Sequence, residues 1–345
     1  MEQLTLHKAK LSSFLETLLD DYRVVAPQRI GPSDIVFDEF VSGRAIPFDY
    51  VNAHLPPKSL FFRRRECLFA IEGSKHPKLL APPGEKPTAI FGLRSCDATA
   101  LLFLSRFFGE RGFEDERVTS RIRNSLRMTL SCHTPGPDCF CVCCDGGPFL
   151  KTGFDIQFTD LGEILLAEVA TEQGAVAIKK GSSLFSPAAT EDIAAKAQQV
   201  EEVDQKFQLR SFMADGIKRI SLDRIPIGTW ERWAGDCQGC GGCCHICPTC
   251  SCFTVHDAWR ACDAYSRERT WDACLYEGFT REASGHNPRA AKSARLKRRF
   301  FHKMSYQYVE IMGRHGCVGC GRCVAACMGG LDISNLLSRI HDECK

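Results

Sequence analysis

Two cysteine runs in the C-terminal third of the chain share the spacing C-x2-C-x2-C-x3-C. This spacing is typical of sequences that hold a pair of [4Fe–4S] clusters, in which the fourth cysteine of each run ligates the other cluster. Three thiolates on one tight loop can take three corners of a cubane, while the fourth lies on the following helix and points away. We therefore expect a first ligand group of Cys237, Cys240, Cys243 and Cys327 and a second of Cys317, Cys320, Cys323 and Cys247.

Glycines are interleaved with these cysteines. We expect positive φ angles and backbone amides close to cluster sulfide at Gly239, Gly241, Gly242, Gly319 and Gly321, since glycine alone adopts such conformations without steric cost.

Zinc and disulfides are the alternatives for so many cysteines. A structural zinc ion needs four ligands, usually from two separated pairs, and two complete four-cysteine runs leave too many thiolates for it. Disulfides are disfavoured because no signal peptide is evident and the number of cysteines, 21, is odd. We expect a reduced, cytoplasmic iron–sulfur protein.

A third ligand group is predicted nearer the N-terminus. Cys96 lies between a predicted strand at 88–93 and a predicted helix at 98–108, where the helix dipole favours a thiolate. A loop rich in proline and glycine at 132–148 carries further cysteines. Together they could hold a third [4Fe–4S] cluster through Cys96, Cys132, Cys139 and Cys141, although a reactive or structural loop without metal is the alternative. Cys143 and Cys144 are surplus, and are either substitute ligands or inert neighbours.

The chain of 345 residues is long enough for two domains. Short apolar runs, turns and helical patterns in residues 1–223 indicate an α/β domain that carries the third cluster. Some seventy helix-like residues separate the two cysteine runs, so residues 224–345 are predicted to form an α-helical, ferredoxin-like domain with two clusters. The predicted fold class is α+β.

Several partners and cofactors are not expected for this chain. The net charge of +2 gives no field that would attract nucleic acid, and the apolar stretches are too short for direct membrane insertion. No G-x-G-x-x-G follows a strand and no P-loop is present, so no NAD or flavin site is evident.

Other residues in the C-terminal half permit two interpretations. The basic segment 289–303 is either a solvated helix face or functional, and in the second case it is a docking surface for an acidic partner or a positive charge that raises cluster potential. His245 and His286 are expected to make hydrogen bonds and not to bind iron. The additional cysteines in this half are interpreted as structural, with the first two lining the cluster cavity: Cys250, Cys252, Cys262 and Cys274.

These features together resemble a family of iron–sulfur electron-transfer subunits, which includes that of anaerobic sulfite reductase and the beta subunit of cytoplasmic NiFe hydrogenases (sulfhydrogenases). The resemblance rests on the final cysteine run and on segments 55–61, 92–97, 137–141, 247–252, 271–274 and 285–289, in this order. It implies an electron conduit between two partners, one a flavin subunit that oxidises NAD(P)H and the other a catalytic reductase or hydrogenase subunit. It also implies the third cluster.

Two other functions are compatible with a chain that binds clusters. The chain could itself reduce a small molecule at its N-terminal domain, an alternative suggested by the surplus Cys143 and Cys144. It could also act as an oxygen sensor or a nucleic-acid clamp, which the near-neutral charge disfavours.

Overall fold

The computed structural model describes residues 1–32, 34–73, 76–109, 112–261 and 264–344, which form two β-sheets and a group of packed helices. The strands are β1 (Glu2–His7), β2 (Arg23–Ile30), β3 (Asp34–Glu39), β4 (Arg65–Glu72), β5 (Lys78–Leu80), β6 (Thr88–Leu93), β7 (Leu126–Leu130), β8 (Ile156–Asp160), β9 (Ile164–Val169), β10 (Phe185–Pro187), β11 (Phe253–Ala261) and β12 (Ala264–Trp271). The α-helices are α1 (Leu11–Glu16), α2 (Ser95–Gly109), α3 (Glu116–Arg123), α4 (Glu172–Lys180), α5 (Thr190–Val203), α6 (Met213–Ser221), α7 (Ile227–Asp236), α8 (Gly242–His245), α9 (Lys292–Met304), α10 (Tyr306–Met312), α11 (Arg322–Ala326) and α12 (Ile333–Glu343).

The larger sheet has the strand order β10-β1-β9-β8-β7-β6-β2-β3, and its central strands β2, β6, β7 and β8 are parallel. Strand β6 is a continuous apolar run because both of its faces are covered: Phe91 packs into one hydrophobic cluster and Ile90 into another. A helix follows β6, as predicted, but α2 begins at Ser95, three residues before the predicted start at 98, so Cys96 is its second residue. The end of this strand therefore holds the first cysteine of the third group.

The smaller sheet corrects one sequence prediction. The segment between the two cysteine runs was expected to be helical, but it contains the antiparallel hairpin β11–β12, which pairs with β4 and β5 of the N-terminal half. Charged residues in β12 remove the alternating apolar pattern by which a strand is predicted from sequence. The guanidinium of Arg269 is buried against the carboxylate of Glu66 on β4, at an N–O distance of 2.5 Å. A charge that faces inward and is paired across strands gives no period-2 apolar signal.

The C-terminal cysteine runs are surrounded by helices, as predicted. Helices α6, α7, α9 and α12 pack around a core in which Trp230 and Trp233 are 1% exposed. The predicted fold class, a sheet-rich N-terminal region followed by a helical dicluster region, is thus confirmed, with the β11–β12 hairpin as an addition.

The predicted domain limits, 1–223 and 224–345, stay a prediction. Elements on the two sides of residue 224 pack against each other. The smaller sheet joins strands from both sides, and helix α6, which precedes residue 224, packs on α9 and α12.

Candidate metal centres

The two cysteine runs adopt the same loop conformation. Gly239 and Gly241 in the first run, and Gly319 and Gly321 in the second, all have positive φ. The amide of Gly239 lies 3.4 Å from Cys237 Sγ, and the amide of Gly319 lies 3.5 Å from Cys317 Sγ. The predicted positive φ is confirmed at these four glycines and is wrong for Gly242, which instead begins helix α8. The approach of backbone amides to cluster sulfide stays a prediction.

Three of these glycines also lie where a side chain would collide with its surroundings. A Cβ atom would be 2.6 Å from the ring of Tyr276 at Gly241, 2.5 Å from the Cys141 backbone at Gly319, and 2.7 Å from the Asp138 carbonyl oxygen at Gly321. The second run is therefore packed directly on the N-terminal cysteine loop.

One cavity is bordered by all the thiols predicted for the first group. Helices α7 and α8 place the first three of them, and the turn after α11 places the last. A thiol of the second run, Cys323, also borders this cavity, whose cysteines are Cys237, Cys240, Cys243, Cys323 and Cys327.

A separate cavity is bordered by all the thiols predicted for the third group. Its cysteines are Cys96, Cys132, Cys139, Cys141 and, from the second run, Cys320. Cys143 and Cys144 are not among the described residues that border it. Burial raises the pKa of Cys96, and the adjacent Asp97 carboxylate adds to this, so the expected effect of the helix dipole is outweighed.

Three of the four thiols of the second group are buried, and the fourth, Cys247, is half-buried. Cys317 is 6% exposed, and Cys320 and Cys323 are 9% exposed. Burial raises the pKa of Cys323, and the neighbouring thiols of Cys317, Cys320 and Cys247 raise it further. Because ligand thiols must lose their protons, metal binding in this group would release protons.

The second group lies between the other two. Cys323 borders the cavity of the first group, whereas Cys320 borders that of the third. The carbonyl of Gly319 accepts a 2.9 Å hydrogen bond from the Phe140 amide, which ties the second run to the third group's loop. The thiol groups therefore form a series in the order first, second, third.

The chemistry of the donor sets fits three iron–sulfur clusters. Each group offers four thiols, and the four predicted for the first group and the four predicted for the third each border one cavity. In the described part of the chain, no three His, Cys, Asp or Glu side chains converge closely enough to hold a single metal ion. A cubane keeps its ligands apart because its own iron and sulfide atoms occupy the space between them, so such convergence is not required of its ligands.

Sequence reasoning missed a buried ion pair that joins the second and third groups. Arg322, between two cysteines of the second run, contacts both carboxylate oxygens of Asp97 at 2.7 and 2.9 Å. Asp97 follows Cys96 and is 1% exposed. The sequence gives one sign of this ion pair: Arg322 directly precedes the predicted ligand Cys323, and Asp97 directly follows the predicted ligand Cys96. Neither position shows which residue the other charge belongs to.

Three buried cations surround the first two groups, and the segment 289–303 supplies two of them. Arg299 donates from Nε toward Cys243 Sγ at 3.4 Å, and Lys303 donates from Nζ to the Thr249 hydroxyl at 2.6 Å. Lys58 donates to the Cys250 carbonyl at 2.9 Å. The interpretation of 289–303 as a solvated face is therefore wrong for Arg299 and Lys303, each of which is 3% exposed.

The surplus cysteines lie beside these groups. Cys144 is buried, and its thiol lowers the pKa of the Cys317 thiol. Sequence reasoning did not single out Cys244, whose Sγ is 4.0 Å from Cys274 Sγ. Cys250, Cys252 and Cys274 border a further cavity next to Thr249, and Cys262 lies outside the described residues. His245 Nε2 is 3.2 Å from the Tyr276 hydroxyl, which agrees with a hydrogen-bonding role.

Comparison with known proteins agrees with this geometry. Residues 236–331 match the family described as a 4Fe-4S dicluster domain. These residues contain both cysteine runs. Together with the full-length similarity reported next, the match supports an iron–sulfur electron-transfer subunit.

The whole chain is similar to the sulfhydrogenase 2 subunit beta of Pyrococcus furiosus, with 29% identity over 344 residues that cover 99% of each chain. The resemblance inferred from the sequence motifs is thereby confirmed, and the alternative of a self-contained reductase is not favoured. Among the described helices, none combines the length and the apolar character that a membrane crossing requires.

Proposed function

We propose that this protein relays single electrons through three [4Fe–4S] clusters between two partners, a flavin subunit that oxidises NAD(P)H and a catalytic reductase or hydrogenase subunit. The observation that carries the proposal is the serial arrangement of the thiol groups. Two thiols of the second group border the cavities of its neighbours: Cys323 borders that of the first group, and Cys320 borders that of the third.

The residues that would hold the clusters are those of the three groups. A bound [4Fe–4S] cluster would accept and release one electron at a time. The chain's own contribution is to hold the thiols in series, to direct backbone amides at sulfur and to exclude water from the middle of the series. Cys240 is exposed, whereas three thiols of the second group are buried, so an outer partner can approach the first group.

The proposed partners follow from the relative. A protein named as a beta subunit belongs to an assembly of several subunits, and this supports a multisubunit complex for the present chain. The absence of an evident flavin or NAD motif in the sequence supports placing nicotinamide chemistry in a partner. The proposed location of the complex is the cytoplasm.

The test is an iron and acid-labile sulfide count on the anaerobically isolated full chain. Three cubanes give about twelve iron atoms per chain, and two give about eight. We expect C96S, C240S and C320S each to lose about a third of the iron, and C67S, a cysteine outside all three groups, to lose none. Zinc without inorganic sulfide, or equal iron in C96S and the unchanged chain, would contradict the proposal.

A further inference from the structure

Buried cations in this molecule differ in what neutralises them. Arg322 and Arg269 are each paired with a buried carboxylate. By contrast, no carboxylate among the described residues pairs with Arg299 or Lys303. A buried charge without an opposite charge is costly, so these two cations indicate a negative group in their surroundings. The thiols of the first and second groups are what they face.

Lys303 reaches the second group through one hydroxyl. Its ammonium contacts Thr249 Oγ1 at 2.6 Å, and the same oxygen is 3.3 Å from Cys247 Sγ. Although burial opposes it, the pKa of Lys303 is raised, chiefly by the thiols of Cys247 and Cys250, so this side chain stays charged.

Arg299 lies between the first and the second group. Its guanidinium contacts Cys243 Sγ at 3.4 Å and Cys250 Sγ at 3.8 Å. It also borders the cavity that Cys323 of the second group borders. Two buried positive charges thus lie beside the second group, Lys303 near Cys247 and Arg299 at the cavity that Cys323 borders.

These cations oppose the effect of burial on a bound cluster. Each added electron makes a thiolate-ligated cluster more negative, and burial disfavours that added charge. A fixed positive charge nearby favours it, and the attraction is strong where water is excluded. The second group lies in the middle of the series with three buried thiols, so it needs this compensation if electrons are to pass through it.

We propose that Lys303 and Arg299 raise the reduction potential of the cluster held by the second group, and so keep the middle of the series accessible to electrons. The inference rests on the proposed function, since it requires a cluster at this group. Both residues are positioning residues that act on the cluster through its ligands.

The experiment is a redox titration of the anaerobic full chain, followed by electron paramagnetic resonance. The signal of the second group is identified as the one that C320S loses. In K303M we expect the ratio of reduced to oxidised cluster at this signal to fall about tenfold at a fixed solution potential, equivalent to about 59 mV for one electron. R299Q is expected to shift the same signal in the same direction, and serves as the test if K303M does not fold.

Two controls separate charge from structure. K303R keeps the positive charge, so the ratio of reduced to oxidised cluster at the same solution potential should change by no more than about twofold. K297M removes a lysine of the same helix whose ammonium is paired with Asp223 at 2.6 Å near the surface, and should change nothing. If the clusters are present and both K303M and R299Q keep the original potential, the inference is overturned. If no [4Fe–4S] signal appears in the unchanged chain, the proposed function itself fails.

Discussion

The two cysteine runs have the same spacing and the same loop conformation, but their surroundings differ. In the first run Cys240 is exposed, and Cys237 and Cys243 are half-buried. In the second run the first three cysteines are all buried, and the run packs on the N-terminal cysteine loop. The comparison shows that local sequence determines how thiols are presented, whereas tertiary packing decides whether a group can exchange electrons with a partner or only with its neighbours.

The largest effect on electron transfer is expected at the second ligand group, because electrons must pass through it to go from the first group to the third. In C320A, electron flow between the two partners should stop, because the middle ligand group is incomplete, while reduction of the partner's flavin by NAD(P)H should continue. Stopped-flow measurement on the assembled complex gives both rates. Undiminished flow between the partners in C320A would refute the serial arrangement.

The next effect concerns a position at which the two runs differ in sequence. Arg322 takes the place in the second run that Gly242 has in the first. In R322Q the buried Asp97 carboxylate loses its partner, and we expect the free energy of unfolding to fall by about 3–5 kcal/mol. Denaturant unfolding of the full chain measures it. The matched control R123Q removes an exposed arginine that pairs with Glu116 at 2.7 Å, and should cost at most about 1 kcal/mol. Equal losses in the two variants would contradict the assignment of a buried pair.

The smallest expected effect is on the free energy of unfolding. Comparing alanine variants of two equivalent glycines distinguishes the cost of backbone conformation from the cost of close packing. Gly239 and Gly319 occupy equivalent positions, with φ of +68° and +61°, but only a Cβ at Gly319 meets other atoms within 4 Å. G239A should lose about 1–2 kcal/mol of unfolding free energy from the left-handed conformation alone. G319A should lose about 1–3 kcal/mol more, because a methyl group enters a packed contact. Unfolding curves that coincide would mean that the second run is not packed on the N-terminal loop.

The charged strand β12 shows where sequence reasoning failed. Arg267, Glu268 and Arg269 gave this stretch a polar, helix-like appearance, yet the last two are buried. Arg269 finds its partner Glu66 about two hundred residues earlier in the chain, on β4. Periodicity reports which side chains are apolar, and it cannot report a charge that is buried because a distant opposite charge meets it.

The sequence by itself determined the chemistry. Its cysteines are spaced so that a tight loop can present them to a cubane cluster, and its glycines allow the positive φ angles that such a loop needs. It also indicated the strand and helix that present Cys96, since both are local patterns. Tertiary structure alone decided the order of the groups, the burial of the middle one and the location of Lys303 and Arg299 against it. Spacing within a loop is a short-range property of the backbone, whereas burial and charge neutralisation depend on atoms brought together from distant parts of the chain.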